Sequence, residues 1–186
     1  MSEGREPEAR TGDRLTKDER EKLLSHLQKV LVWVGEKVPD EVEVDRDLLG
    51  EELNRDHLGS KDIYPEVHPD SGEIDLHELI WRLIHEEGEV SSKEKAEIQD
   101  LIIVLKRKEM DDVELLKSAD ITQEEAQRIF AEAAGVIRAL LDLKDMLKGN
   151  RRSLRAQQAV RRTVENARKW NRLMDEVKDR PKYGES

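Results

Sequence analysis

The stretch Thr122–Leu147, TQEEAQRIFAEAAGVIRALLDLKDML, decides the fold. Its apolar residues fall at Ala126, Ile129, Phe130, Ala133, Val136, Ile137, Leu140, Leu141 and Leu147, the three-and-four spacing of one helix face. Thr122 followed by Glu125 makes a capping box that marks the start. Gly149 suits the stop. Ala133, Ala134 and Gly135 form a patch of small residues in mid-helix. A glycine there costs about 1 kcal/mol against alanine, so another backbone is expected to come close. This helix is read as the spine on which the other helices pack.

On the N-terminal side, residues 1–14 are polar, with Gly4, Pro7 and Gly12, and read as a disordered tail. Thr16 with Glu19 makes another capping box. The helix that follows carries Leu23, Leu24, Leu27, Val30, Leu31 and Val34 on one face, flanked by Trp33, with Gly35 and Pro39 bracketing its end. Val42 and Val44 then alternate with acids, as do Ile74 and Leu76 after the turn Asp70-Ser71-Gly72; the two fragments are expected to pair as an antiparallel ribbon. Residues 46–72 between them read as an irregular insertion, with Leu48, Leu49, Leu53 and Leu58 giving it a short helix. Asp75 with Glu78, then Ser91 with Glu94, cap two more helices. The first buries Leu76, Leu79, Ile80, Leu83 and Ile84 and ends at Gly88. The second runs to about Lys108, with Ile102, Ile103 and Val104 widening its buried face. Val113, Leu115 and Leu116 mark a short helix or a continuation beyond Asp111-Asp112. The fold class is therefore mainly α: a bundle of four to five helices with a small two-stranded β-ribbon.

Beyond the hinge Lys148-Gly149-Asn150, a last helix is expected from about Ser153 to Val177, ending before Pro181. Ala156, Val160, Thr163, Ala167, Trp170, Met174 and Val177 follow alternating spacings of four and three, a narrow coiled-coil seam. Residues 148–186 hold 12 Lys/Arg against 5 Asp/Glu, net +7, whereas residues 1–147 hold 21 against 38, net −17. The chain thus divides into a tail at 1–14, a helical core domain at 15–148 and a basic helical arm at 149–186. The arm's Arg151, Arg152, Arg155, Arg161, Arg162, Arg168, Lys169 and Arg172 suit nucleic-acid phosphates or an acidic partner, and Trp170 could stack on a base. An arm folded back onto the acidic body explains the same residues. The seam at Ala156, Val160, Ala167, Trp170 and Met174 suits a protein partner or self-association.

The totals narrow the classes. A hydrophobic share of 36% beside a charged share of 41% fits helices with one apolar stripe and long charged faces. Cysteine is absent, which removes disulfides, thiolate nucleophiles and cysteine-type zinc sites. No apolar run reaches the length of a membrane span and the N-terminus has no signal-peptide core, so a cytoplasmic protein with no membrane partner is expected. There is no GxGxxG, Walker or GxSxG motif. Of the five histidines, His57 and His68 share a loop with Asp70, close to His77 and Glu78, so a metal-dependent enzyme built on residues 57–78 is an alternative. No HExxH pair supports it. His77 and His85 stand about 12 Å apart by helix rise, too far for one ion. Solvated histidines explain them better, and core or boundary packing explains Trp33 and Trp81. No catalytic residue, metal ligand or cofactor is assigned.

LVWVGEKVPDEVEV, IDLHELIWRLI and EEAQRIFAEAAGVIRALLDLKDML together resemble a family of small uncharacterised archaeal proteins, a domain of unknown function, over roughly residues 16–148. The resemblance implies an archaeal cytosolic protein and brings no activity or site residues. It leaves 46–72 as an insertion and the basic arm outside. The function expected is a non-enzymatic protein–protein interaction or scaffold module, with nucleic-acid association through the arm as the alternative.

Overall fold

The computed structural model describes residues 14–29, 36–54 and 64–178. In chain order these hold α1 (Lys17–Leu27), β1 (Val42–Glu43), α2 (Arg46–Asn54), β2 (Val67–His68), β3 (Glu73–Ile74), α3 (Leu76–His85), α4 (Ser92–Ser118), α5 (Gln123–Leu147) and α6 (Arg151–Lys178). Residues 1–13 of the expected tail, the residues Val30 to Gly35 with Trp33, and His57 and Leu58 lie outside the described residues, whereas Arg14, the last of the tail, bridges to Thr122 and pairs with Asp120 at 2.6 Å.

The spine is α5. Its capping box forms, with the Glu125 N–H donating to the Thr122 hydroxyl and the Thr122 N–H donating to the Glu125 carboxylate. It joins two apolar cores. Ala126, Ala133, Ala134 and Ile137 pack with Leu27 of α1 and Leu116 of α4. Val136, Ala139, Leu140, Leu143 and Met146 pack with α2, α3, the first half of α4 and the strands. Gly135 stands where the backbone of another segment crosses: a Cβ there would lie 2.5 Å from the Lys37 carbonyl oxygen and 2.6 Å from Pro39 Cδ. That is the close approach expected of a mid-helix glycine. Phe130 is only half-buried.

α4 runs unbroken through Asp111-Asp112 to Ser118, antiparallel to α5. Two i,i+4 pairs hold the doublet in the helix: Arg107 to Asp111 at 3.2 Å and Lys108 to Asp112 at 2.9 Å. Its Ser91–Glu94 capping box is present. The widened apolar face is not buried as expected. Ile102 is half-buried and Ile103 44% exposed, while Val104 and Leu105 face the core. α1 stops at Leu27, short of the expected end near Gly35. Arg20 of α1 donates to the Leu116 and Ala119 carbonyls and so satisfies the end of α4.

The ribbon has three strands, not two, in the antiparallel order β1-β3-β2. Val42 and Val67 both lie opposite Ile74, and all three are buried. Strands this short do not stand alone; this rung is part of the core behind α3 and α5. Gly72, at φ +76°, turns β2 into β3 and sets its N–H on the His68 carbonyl at 2.9 Å. The expected insertion therefore contains α2 and β2. Asp75 precedes α3 without capping it through its side chain; its carboxylate sits 3.1 Å from His68 Nε2 instead. α3 ends at His85 rather than Gly88.

Candidate functional site

The arm is one helix of 28 residues, and its two halves differ. Gly149, at φ +82°, ends α5 and lets the chain reverse, its N–H on the Met146 carbonyl at 3.0 Å. α6 then docks by its first turns. Leu154 is buried in the main core. Arg151, 4% exposed, reaches the Gly88 carbonyl and the Glu94 carboxylate, each at 3.4 Å. Arg155 Nε donates to the Ile84 carbonyl at 2.8 Å, and its Nη2 donates to the Glu86 carbonyl. Arg155 thus sits at the C-terminal end of α3, where unpaired carbonyls concentrate negative charge, and Arg151 bridges the connection after it to the first turn of α4. Arg162 lies 5.7 Å above the Trp81 ring, which stacks on His85 at 4.0 Å. From Arg162 to Lys178 every residue is exposed.

The eight basic candidates therefore divide. Arg151, Arg155, Arg161 and Arg162 engage the body. Arg152, Arg168, Lys169 and Arg172 are exposed. Among the seam residues, Ala156, Val160, Ala167, Trp170 and Met174 are all exposed, with Val160 at 64% and Trp170 at 62%. Val164 and Leu173, not read from the sequence as contact residues, flank the same stripe and are exposed as well. At 100° per residue, Leu154, Gln158 and Arg161 point to one side of α6, and Ala156, Ala167, Trp170 and Met174 to the other. The helix is attached along one side and uncovered along the opposite one.

Where α6 leaves the body it bounds a groove of about 930 Å³. Residues 36–38 and His77, Glu78, Ile80 and Trp81 of α3 form one wall, Val160 and Val164 edge the other, and Asp142 lies at the base. Asp142 is 2% exposed; Arg138 Nη2 approaches its Oδ1 at 3.2 Å and Arg161 Nη1 its Oδ2 at 4.0 Å. Oδ2 accepts no hydrogen bond, and neither does Gln158 Oε1 nearby. Burial pushes the Asp142 carboxyl up to about 6, against the pull of Arg138. Burial likewise raises the Glu36 carboxyl. Asp142 and Arg138 were not singled out in the sequence, although an Arg and an Asp four residues apart beside the apolar stripe of α5 were its signal.

Of the loop histidines, His57 lies outside the described residues. His68 faces Asp75, whereas His77 faces the groove; among the described residues no group of three His, Cys, Asp or Glu side chains is placed to hold a metal ion. Elsewhere, Arg82 grips Glu66 with two bonds of 2.5 and 2.7 Å and lies 4.9 Å over the Tyr64 ring, while the Tyr64 hydroxyl donates to Glu97 at 2.6 Å. That network ties the segment before β2 to α3 and α4. Among the described residues no helix is long and apolar enough to cross a membrane.

No curated protein and no solved structure matches the chain. A family model matches residues 51–175. The match starts later than the expected resemblance over 16–148 and ends later. It takes in residues 51–72, read as part of an insertion, and nearly all of α6, read as lying outside. Covering two thirds of the sequence and five of the nine described elements in full, it establishes that the chain belongs to a family of unknown function, DUF5788.

Proposed function

We propose that the protein is a protein–protein interaction module whose contact element is the uncovered side of α6. One observation carries this reading. Nine large hydrophobic residues are exposed among those described, and six of them (Val160, Val164, Trp170, Leu173, Met174 and Val177) lie on this helix. Exposed apolar residues scattered singly are ordinary, whereas a row of them in helical register marks a surface meant to be covered. α6 is also presented for contact: its inner turns are fastened to α3 and the core, so the outer turns are held away from the body at fixed orientation.

Nucleic-acid association through the arm draws less support. Phosphate contacts need accessible cations, and four of the eight basic candidates are engaged with carbonyls, carboxylates or an indole of the body. The metal-dependent reading of residues 57–78 draws less still, since His68 and His77 face different neighbours.

Light scattering and affinity capture from native extract, run on the full chain and on Trp170→Glu, test the proposal. An assembly formed by the wild type and lost in the variant is the expected result. Equal behaviour of the two chains, both monomeric and without a protein partner, contradicts it. Binding to nucleic acid that falls steeply with salt and is unaffected by Trp170→Glu would favour the alternative.

A further inference from the structure

The seam of α6 follows a heptad register, with Val160, Ala167 and Met174 at a and Ala156, Thr163 and Trp170 among the d positions. Nine charged residues lie between residues 154 and 177, and every one of them falls at b, c or f. The positions beside the seam, e and g, are uncharged throughout that span, Val164 and Asn166 among them. In so charged a helix this exclusion selects the occupant. An acidic partner helix would be gripped by basic residues at e and g along the contact, and between residues 154 and 177 there are none; Arg152 at g and Lys178 at e lie beyond it, at the two ends of α6. A helix that keeps its like charges away from the contact can lie against its own copy without repulsion.

We propose that a second copy of this chain covers the seam, seated antiparallel along α6 with the two-fold axis passing near Glu165. The inference rests on α6 being the contact element. Residue sizes decide the direction. Small side chains sit at the inner end of the seam and the largest at the outer end. A parallel pair would set Trp170 on Trp170 and Ala156 on Ala156, an overfilled layer and an empty one. The antiparallel pair sets Met174 on Ala156, Trp170 on Val160 and Ala167 on Thr163, each contact occurring twice as a two-fold interface requires. The exposed part of α6, residues 162–178, is about 25 Å long by helix rise, enough to lie along the inner half of its copy. Leu154, Gln158 and Arg161, on the docked side of α6, face away from the seam, and Val160 is the one seam residue that also edges the groove. The two acidic bodies stay at opposite ends of the pair, which limits their repulsion.

The chain has no cysteine, so introduced ones report without interference. Full-length Ala156→Cys and Met174→Cys are mixed and oxidised. The antiparallel pair predicts a disulfide that joins one variant to the other, with little self-linked product from either alone. Predominant self-linked product from each variant overturns the antiparallel seating. Adding Trp170→Glu to both chains is expected to weaken association at least roughly 30-fold, as loss of a central aromatic anchor does, and to abolish the mixed disulfide. Trp170 is exposed in the single chain, so this variant is expected to keep the wild-type circular dichroism and melting; a mixed disulfide that survives it overturns the proposal. A wild type that stays monomeric but holds another protein through Trp170 overturns the second copy and leaves the contact role of α6 standing. A monomer that holds no protein overturns both.

Discussion

Gly135 has a backbone where its Cβ would be. Its presence in mid-helix is readable from the sequence as a close approach, because nothing in local propensity favours glycine there. Which segment approaches is not readable, since Lys37 and Pro39 meet it only once the chain has folded. Gly135→Ala gains about 1 kcal/mol of helix propensity, yet its methyl must displace a carbonyl oxygen now 2.5 Å from that point. A net loss of about 2 kcal/mol in urea melts is expected, and an unchanged or raised midpoint would show that the 36–39 segment yields. Asp142 was opaque in the sequence for the opposite reason: a carboxylate among many becomes distinctive only through burial. Its folded-state pKa, about 6, lies above the 3.8 of a free aspartate side chain. The folded state therefore favours the protonated acid. That contribution is complete below pH 3.8 and is lost as pH rises through 6, an amount of about 3 kcal/mol at most. Asp142→Asn cannot lose it, so the wild type is expected to fall in stability relative to the variant between pH 4 and pH 7. Asp112, also raised to about 6 by burial, leaves a slope of the same sign in both proteins, which is why their difference is the quantity to measure by urea melts. A difference that does not change with pH would mean that Arg138 keeps Asp142 ionised throughout.

Helix starts were the most legible elements, because a capping box is local. The three boxes at Thr16, Ser91 and Thr122 form with both bonds present. The box at Asp75 does not, because β2 brings His68 within 3.1 Å and claims the carboxylate. Ser91→Ala and Thr122→Ala are each expected to cost about 1 kcal/mol in thermal or urea melts. Asp75→Ala gives up only a half-exposed pair and is expected to cost no more than about 0.5 kcal/mol; a cost equal to the other two would mean that Asp75 caps α3 in solution. Element ends and the third strand were less legible. Two residues, Val67 and His68, cannot display an alternation, and only pairing with Ile74 and Glu73 makes them a strand. The Asp111-Asp112 doublet reads as an interruption until Arg107 and Lys108 are counted as partners one turn earlier.

For the whole molecule, the charge division between body and arm reads directly from the sequence, but its meaning needed the fold. In the first half of the arm, Arg151 and Arg155 are directed inward, onto Glu94 and onto the carbonyl end of α3, where they fix α6 in place. The second half surrounds a stripe that none of the described residues covers. Periodicity alone locates the stripe; which side of α6 the body occupies follows only from Leu154 and Arg161 packing opposite to it. Residues 151–175 of α6 lie within the family match. Sedimentation equilibrium of the full chain, across roughly 1 μM to 1 mM, tests the central claim most directly. The account predicts a mass that rises with concentration to twice 21.6 kDa and returns to the single-chain value in Trp170→Glu. A wild-type mass that stays at 21.6 kDa over the whole range would contradict it.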